Sequence, residues 1–189
     1  PVSTGPVTFS WRQVSGPALD PSLYSNVRIP NLHLMGHELA PGASYVFGLA
    51  ASMADDPTQS SEAFATIHVL RRPLVARISG GSERKLSGAE AFTLDGSSSS
   101  NPDGGDLTFE WTCEFRLPGS GMLTLCLDLT GEPIMLPDQE MVTVPAQTLG
   151  ANDFVPYVFT LTVRSGMHTP ASTSVRIFVE DNAVPATGI

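Results

Sequence analysis

Lysine is nearly absent from this chain: Lys85 stands alone beside nine arginines, and the net charge is -9. A nucleic-acid surface needs a basic face to release counterions from phosphates, so this charge argues against nucleic acid as a partner. Five of the ten basic residues, Arg71, Arg72, Arg77, Arg84 and Lys85, fall within fifteen positions. Apolar residues interrupt that patch, which reads as a solvated linker region. Long apolar runs are missing too. None approaches the ~20 residues of a membrane span, and PVSTGPVTF at the start has neither the charged nor the apolar region of a signal peptide. A secretion signal or anchor is therefore expected outside this segment. No Asn-x-Ser/Thr sequon occurs, there are only two cysteines, and no segment holds a helical apolar period beyond about two turns.

Catalytic signatures are also lacking. There is no Gly-x-Ser-x-Gly elbow and no His-Glu-x-x-His. Gly80-Gly81-Ser82-Glu83-Arg84-Lys85 does not have the glycine spacing of a phosphate loop. The reading is a non-enzymatic protein. His33 and His37 are four apart, a spacing that would suit zinc on a helix, but they lie between Pro30 and Pro41 with a glycine inside. His68 and His168 sit in or beside strand candidates with no acid and nucleophile arranged about them.

What is present is a chain cut into short pieces. Its 189 residues include 16 prolines and 17 glycines, yet 41% are hydrophobic, enough to bury a core. Short alternating strands joined by turns follow from such spacing. The apolar residues alternate in Thr108-Phe109-Glu110-Trp111, in Tyr157, Phe159, Leu161 and Val163, and in Val175, Ile177 and Val179, as half-buried strands require.

Four blocks occur twice in the same order. Thr8-Phe9-Ser10-Trp11 returns as Thr108-Phe109-Glu110-Trp111, and Val27-Arg28-Ile29-Pro30 as Val142-Thr143-Val144-Pro145. Tyr45-Val46-Phe47-Gly48-Leu49 returns as Tyr157-Val158-Phe159-Thr160-Leu161. Closing strands are expected at Phe64–Leu70 and Ser174–Val179. Trp11 and Tyr45 are 34 residues apart, Trp111 and Tyr157 are 46 apart, and the extra twelve lie mainly around Cys113–Cys126. Before Trp111 the second copy has two more strand candidates, Leu74–Ile78 and Phe92–Asp95; before Trp11 there are only ten residues. The pattern predicts an all-β chain of tandem immunoglobulin-like β-sandwiches, the first lacking its opening strands. The expected boundaries are 1–72 for the incomplete module, 73–181 for the complete one, and 182–189 for the start of a linker or next module. Trp11 and Trp111 are expected at equivalent hearts of the two, with Tyr45 and Tyr157 facing them from the opposite layer.

Leu94-Asp95-Gly96-Ser97-Ser98-Ser99-Ser100-Asn101-Pro102-Asp103 followed by Leu107-Thr108-Phe109-Glu110-Trp111-Thr112-Cys113 resembles the receptor-for-egg-jelly (REJ) module, a relative of the polycystic-kidney-disease (PKD) repeats. So do Pro73–Gly81 with Arg84, and Tyr157–Val163. The resemblance implies an extracellular piece of a polycystin-like or egg-jelly-receptor-like protein of the ciliary or flagellar surface. Its expected role is spacer and adhesion module, with partners such as a polycystin-type channel or an extracellular filament. An accessory PKD-type domain of a secreted hydrolase and a filament subunit are the alternatives. The resemblance also implies that Cys113 pairs with Cys126 rather than both remaining buried thiols. Some PKD-type domains bind calcium near such loops, so Asp95, Asp103 and Asp106 are candidate ligands. The other reading of the same loop is turn chemistry, in which Asn-Pro-Asp-Gly-Gly reverses the chain and serines satisfy local backbone groups.

Overall fold

The computed structural model describes residues 5–116, 119 and 121–180; the stretch read as the start of a linker, 182–189, lies outside them. The chain is all-β. The described residues form the strands β1 (Val7–Ser15), β2 (Ser44–Met53), β3 (Ser60–His68), β4 (Glu83–Ser87), β5 (Phe92–Asp95), β6 (Thr108–Arg116), β7 (Leu123–Leu125), β8 (Met141–Val144), β9 (Asn152–Arg164) and β10 (Ala171–Glu180). The only helical turns among the described residues are the 3-10 turns Pro21–Leu23 and Gly36–Glu38. Two compact units part between Arg71 and Arg72.

The second unit is an open sandwich. A five-stranded sheet runs β4-β10-β9-β6-β7 and a two-stranded sheet pairs β5 with β8. Alternation sends Trp111, Phe159, Leu161, Val163, Val175 and Ile177 to the inner face of the first sheet, where they meet Leu94, Val142 and Val144 from the second. Phe92 of β5 stands edge-on to Phe159 of β9, ring centres 5.9 Å apart. Gly96 leaves β5 at a point where a Cβ would lie 2.7 Å from the Leu161 side chain and 3.3 Å from the Trp111 ring. Only glycine lets the chain pass that close to the indole.

The first unit is a single sheet, β1-β2-β3. Its pairing repeats that of the second unit as far as Gln13, after which the register of β1 shifts. Trp11 lies opposite Leu49 and Gln13 opposite Phe47; Trp111 lies opposite Leu161 and Cys113 opposite Phe159. On the next strand Tyr45 faces Ile67 and Phe47 faces Ala65, as Tyr157 faces Ile177 and Phe159 faces Val175. No second sheet covers this face among the described residues. The irregular segment between β1 and β2 takes that place: Tyr24 packs edge-on against Phe47, and the Trp11 indole donates to the Ile29 carbonyl at 3.1 Å. Tyr45 and Phe47 are buried as a result, while Trp11 stays half-buried.

Several expectations need correction. Tyr45 and Tyr157 do not face the tryptophans across the sandwich, because β2 is hydrogen-bonded to β1 and β9 to β6, so each tyrosine shares its tryptophan's sheet. Each tyrosine bonds back upstream instead, the corner arrangement of immunoglobulin-like sandwiches. The Tyr157 hydroxyl donates to the Gly150 carbonyl at 3.1 Å, and the Tyr45 hydroxyl accepts from Ala40 N at 2.9 Å. Val27–Pro30 is not a strand like its counterpart β8, since β8 pairs with β5 and the first unit has no such strand to pair with. Leu74–Ile78 makes one bridge only, Val75 with Ser100. Pro73 has no N–H, and the Arg77 N–H goes to the Ser99 hydroxyl rather than to a strand. The closing strand of the first unit is Ser60–His68 rather than Phe64–Leu70. Within the basic patch, Glu83–Ser87 is no linker but the edge strand β4, parallel to β10. There the Arg84 guanidinium donates to the Ser79 and Thr93 carbonyls.

Trp111 is 5% exposed, so Trp111→Ala removes a packed indole and is expected to lower unfolding stability by about 3–5 kcal/mol. Trp11→Ala is expected to cost less, because Trp11 has no second sheet over it. Urea unfolding of the two variants measures both.

Candidate functional site

The polar stretch between β5 and β6 consists of side chains that replace strand hydrogen bonds. Asp95 Oδ1 accepts from Ser97 N at 2.9 Å, which opens the turn. Ser99 Oγ accepts from Arg77 N and donates to Arg77 O. Asn101 Oδ1 accepts from Asp103 N at 3.0 Å, and its amide donates to Ser165 Oγ at 3.0 Å and to the Gly104 carbonyl. Gly104 and Gly105 follow with φ of 84° and 95°, a conformation open to glycine at little strain. The serines therefore fasten the 75–79 segment, which cannot form a strand of its own.

Asp103 is the centre of this loop. Its side chain is 5% exposed, and three groups converge on it. Arg72 donates both its backbone N–H, at 2.8 Å to Oδ2, and its side-chain Nε, at 2.8 Å to Oδ1. His168 Nε2 lies 3.1 Å from Oδ2, and the other ring nitrogen of His168 lies 3.1 Å from the Ser165 carbonyl. The Arg72 side chain first, then its backbone N–H and His168, hold the Asp103 carboxyl at about 2, below its ordinary 3.8, against the opposing effect of burial. The clasp joins the first residue of the second unit, the polar loop and the β9–β10 turn. Its members are 31 and 65 positions apart in sequence.

The three candidate calcium ligands are not brought together. Asp95 serves its own turn, Asp103 is taken by Arg72 and His168, and Asp106 is exposed. His33 lies in an irregular segment and His37 in the turn Gly36–Glu38, so they do not share a helix face. His68 Nδ1 lies 2.8 Å from Ser44 Oγ across the β2–β3 pair. Among the described residues no group of three His, Cys, Asp or Glu side chains could hold a metal ion.

An accessible apolar surface lies on the other end of β6. Cys113 and Cys126 are joined by a disulfide, Cα atoms 5.4 Å apart, across a sequence separation of 13. The Cys126 N–H donates to the Cys113 carbonyl and the Ile134 N–H to the Cys126 carbonyl, so the returning strand and the 133–140 segment lie side by side. Asp128 closes the turn between them, accepting from Thr130 N and Oγ1 and from Glu132 N. Those bonds, the Thr130 hydroxyl foremost, lower the Asp128 carboxyl below the usual range. With the backbone so fixed, Met122, Leu123, Leu125, Leu127, Leu129 and Met135 are all left exposed, Met135 at 87%. Beside them runs an open groove of about 890 Å³ between β6 and the 133–140 segment. Trp111 and Ile134 line it and the Glu110–Arg164 ion pair sits on its wall. Trp111 contributes from below: its indole N–H donates to the Gln139 carbonyl at 2.8 Å and anchors the far side of the groove.

Sequence spacing singled out the cysteine loop, Trp111 and the polar loop. It missed the 133–140 wall and the Arg72–Asp103–His168 clasp. The exposed methionines and leucines flanking Cys126 were the available signal for the first; nothing local marks the second.

The family model for the REJ domain matches residues 2–189, running across both units. Polycystin-1 of Homo sapiens is 31% identical over 156 residues, 79% of this chain; the chain spans 3% of that protein's length. Among solved structures, the two immunoglobulin domains of DIP-gamma overlap with a TM-score of 0.35 at 14% identity, covering 93% of this chain and 84% of that one. The protocadherin gammaB7 EC3-6 structure overlaps with a TM-score of 0.36 at 14% identity, covering 91% of this chain and 43% of that one. These overlaps are too loose to carry an argument about function.

Two expectations follow from the site. Because Asp103 titrates at about 2 when folded and near 3.8 when unfolded, its contribution to stability is complete above pH ~4 and is lost as pH falls through ~2. The stability gap between wild type and Asp103→Asn, measured by urea unfolding, is expected to close over that window; a constant gap would mean the charge is not what holds the clasp. Reduction of the disulfide is expected to lower the stability of the second unit by about 3 kcal/mol in the chain-entropy account of a loop this short. Unfolding with and without reductant measures it.

Proposed function

The chain belongs to the REJ domain family, and on that premise we propose that it works without catalysis, as an extracellular spacer and protein-binding segment of a polycystin-like surface protein. The disulfide supports an oxidising, extracellular setting. Sheets stapled by buried aromatic residues suit a part that must keep a fixed length outside the membrane, at the surface of a cilium or flagellum. Its contact surface is the disulfide hairpin and the groove beside it. The partner is a protein at the same surface, a polycystin-type channel or an extracellular filament.

The observation that carries this reading is that Met122, Leu123, Leu125, Leu127, Leu129 and Met135 are all exposed next to the disulfide and the Asp128 turn. Several exposed apolar side chains close together along the chain mark a surface suited to association. A preorganised backbone also lowers the ordering entropy of binding. Asp138 and Glu140 rim the groove, where Glu110 is already paired with Arg164, which favours a partner segment that is apolar with a basic flank.

Leu125→Glu combined with Met135→Glu changes two exposed side chains and is expected to leave the fold and Tm intact. Beads coated with the 189-residue chain are applied to ciliated cells bearing the parent protein, and retention under flow is measured. Retention is expected to fall several-fold with the double variant. Equal retention of both proteins would remove the hairpin from the contact surface.

A further inference from the structure

We propose that the groove beside β6 takes its partner as an added β-strand, an extended segment hydrogen-bonded to the backbone of Phe109 and Trp111. The inference rests on the groove being part of the contact surface and adds the mode of binding and the kind of segment that fits. The edge of β6 away from β9 is only half used. β7 pairs with it at Glu114, Phe115 and Arg116, and Cys126 N donates to the Cys113 carbonyl at 3.1 Å. Past Cys126 the returning chain leaves β6, as Leu127 bridges Pro133 and the Asp128 turn reverses it. Among the described residues no strand lies beside 108–112 on that side.

Backbone polarity shows what this leaves over. In an antiparallel pair the N–H and C=O of one residue point the same way, and that direction alternates along the strand. The Cys113 carbonyl points to the β7 side. Phe109 and Trp111 therefore point to the same edge, while Glu110 and Thr112 point to β9. Among the described residues no backbone group pairs with Phe109 or Trp111 on that edge. Trp111 is 5% exposed as a whole residue, so its outward N–H and C=O have little access to solvent. Backbone groups withdrawn from water need partners, and a strand in the groove supplies them.

The lining sets the side chains of that segment. The groove runs along 107–113 with Ile134 and Leu136 on its other wall, both half-buried. Gln139, which accepts from the Trp111 indole, keeps the 133–140 segment on the inner side of the sheet. Side chains of an added strand alternate between its two faces. Those beside Phe109 and Trp111 fall on the inner side with Ile134 and Leu136, and apolar residues suit them. Those beside Glu110 and Thr112 fall on the outer face, which is exposed and polar.

Charge completes the description. Asp138 and Glu140 on the groove are exposed and enter no ion pair among the described residues, whereas Glu110 is held by Arg164. The occupant is thus a partner-protein segment in which apolar and polar residues alternate and a lysine or arginine adjoins the apolar ones. In strand addition of this kind the main chain supplies affinity and every second side chain supplies specificity.

The probe is a synthetic library of short peptides in which Val, Ile, Leu or Phe alternates with Thr, Ser or Lys, screened against the 189-residue chain. The tightest binder is remade with N-methyl groups on every second residue, in one phase and then in the other. Strand addition turns only one set of its N–H groups to β6, so one phase is expected to abolish binding and the other to leave it nearly unchanged. In NMR spectra the Phe109 and Trp111 amides are expected to shift on binding far more than the Glu110 amide. Asp138→Lys with Glu140→Lys is expected to weaken a lysine-bearing binder several-fold and a lysine-free one little. Binding that is lost in Leu125→Glu with Met135→Glu but is indifferent to both N-methyl phases overturns strand addition and leaves the hairpin as contact surface. A library without any binder also overturns the proposal. So do Phe109 and Trp111 amides that shift with protein concentration alone, which would make the occupant a second copy.

Discussion

Everything in the second unit is arranged around the hydrogen-bonded pairing of β6 with β9, which sets Trp111 beside Leu161 and Cys113 beside Phe159 on one buried face. A shift of one residue would turn that whole row to solvent, because side chains alternate along a strand. The indole also needs a partner for its N–H once it is buried, and the Gln139 carbonyl provides it. That one bond brings the 133–140 segment down beside β6 and so shapes the groove. The disulfide two residues further along the same strand holds the opposite wall. Core and candidate contact surface are thus two sides of one strand.

The same ladder in the first unit has a different outcome because its surroundings differ. Trp11, Tyr45 and Phe47 occupy the places of Trp111, Tyr157 and Phe159, yet they meet an irregular segment instead of a second sheet. Backbone groups of that segment satisfy the aromatic hydrogen-bonding atoms, Ile29 for the indole and Ala40 for the phenol. Such a cover seals the centre of the sheet around Tyr45 and Phe47, and among the described residues β3 has a strand neighbour on one side. An exposed strand edge invites pairing with other chains, and the charged and polar outward side chains of β3, such as Glu62 and His68, are the kind that discourage non-specific pairing.

The serine-rich loop fastens its neighbours by side-chain hydrogen bonds. A segment that starts at a proline and carries a buried leucine cannot be left without backbone partners. Ser99 and Ser100 supply them for Val75 and Arg77. Asp103 then collects the positive end of the linker and the β9–β10 turn. Of the acids that resemble a metal site in sequence, Asp95 and Asp103 each have donors of their own, and Asp106 is exposed.

The alternating pattern of the chain determined by itself that it would be all-β and that two tryptophan strands and two tyrosine strands would correspond, and the polar loop carried the residues of a turn beside those of a calcium site. Alternation and turn chemistry act over a few residues, so they can be read from Phe109 and Trp111 or from Asn101-Pro-Asp-Gly-Gly without knowing what lies opposite. Only the tertiary structure decided that each tyrosine shares a sheet with its tryptophan, that Glu83–Ser87 is a strand, and that Val27–Pro30 is not. It alone decided that Asp103 meets Arg72 and His168. Those outcomes depend on which strand is available as a hydrogen-bond neighbour and on contacts between residues tens of positions apart. A sequence records the donors and acceptors, but their partners are chosen when the chain closes.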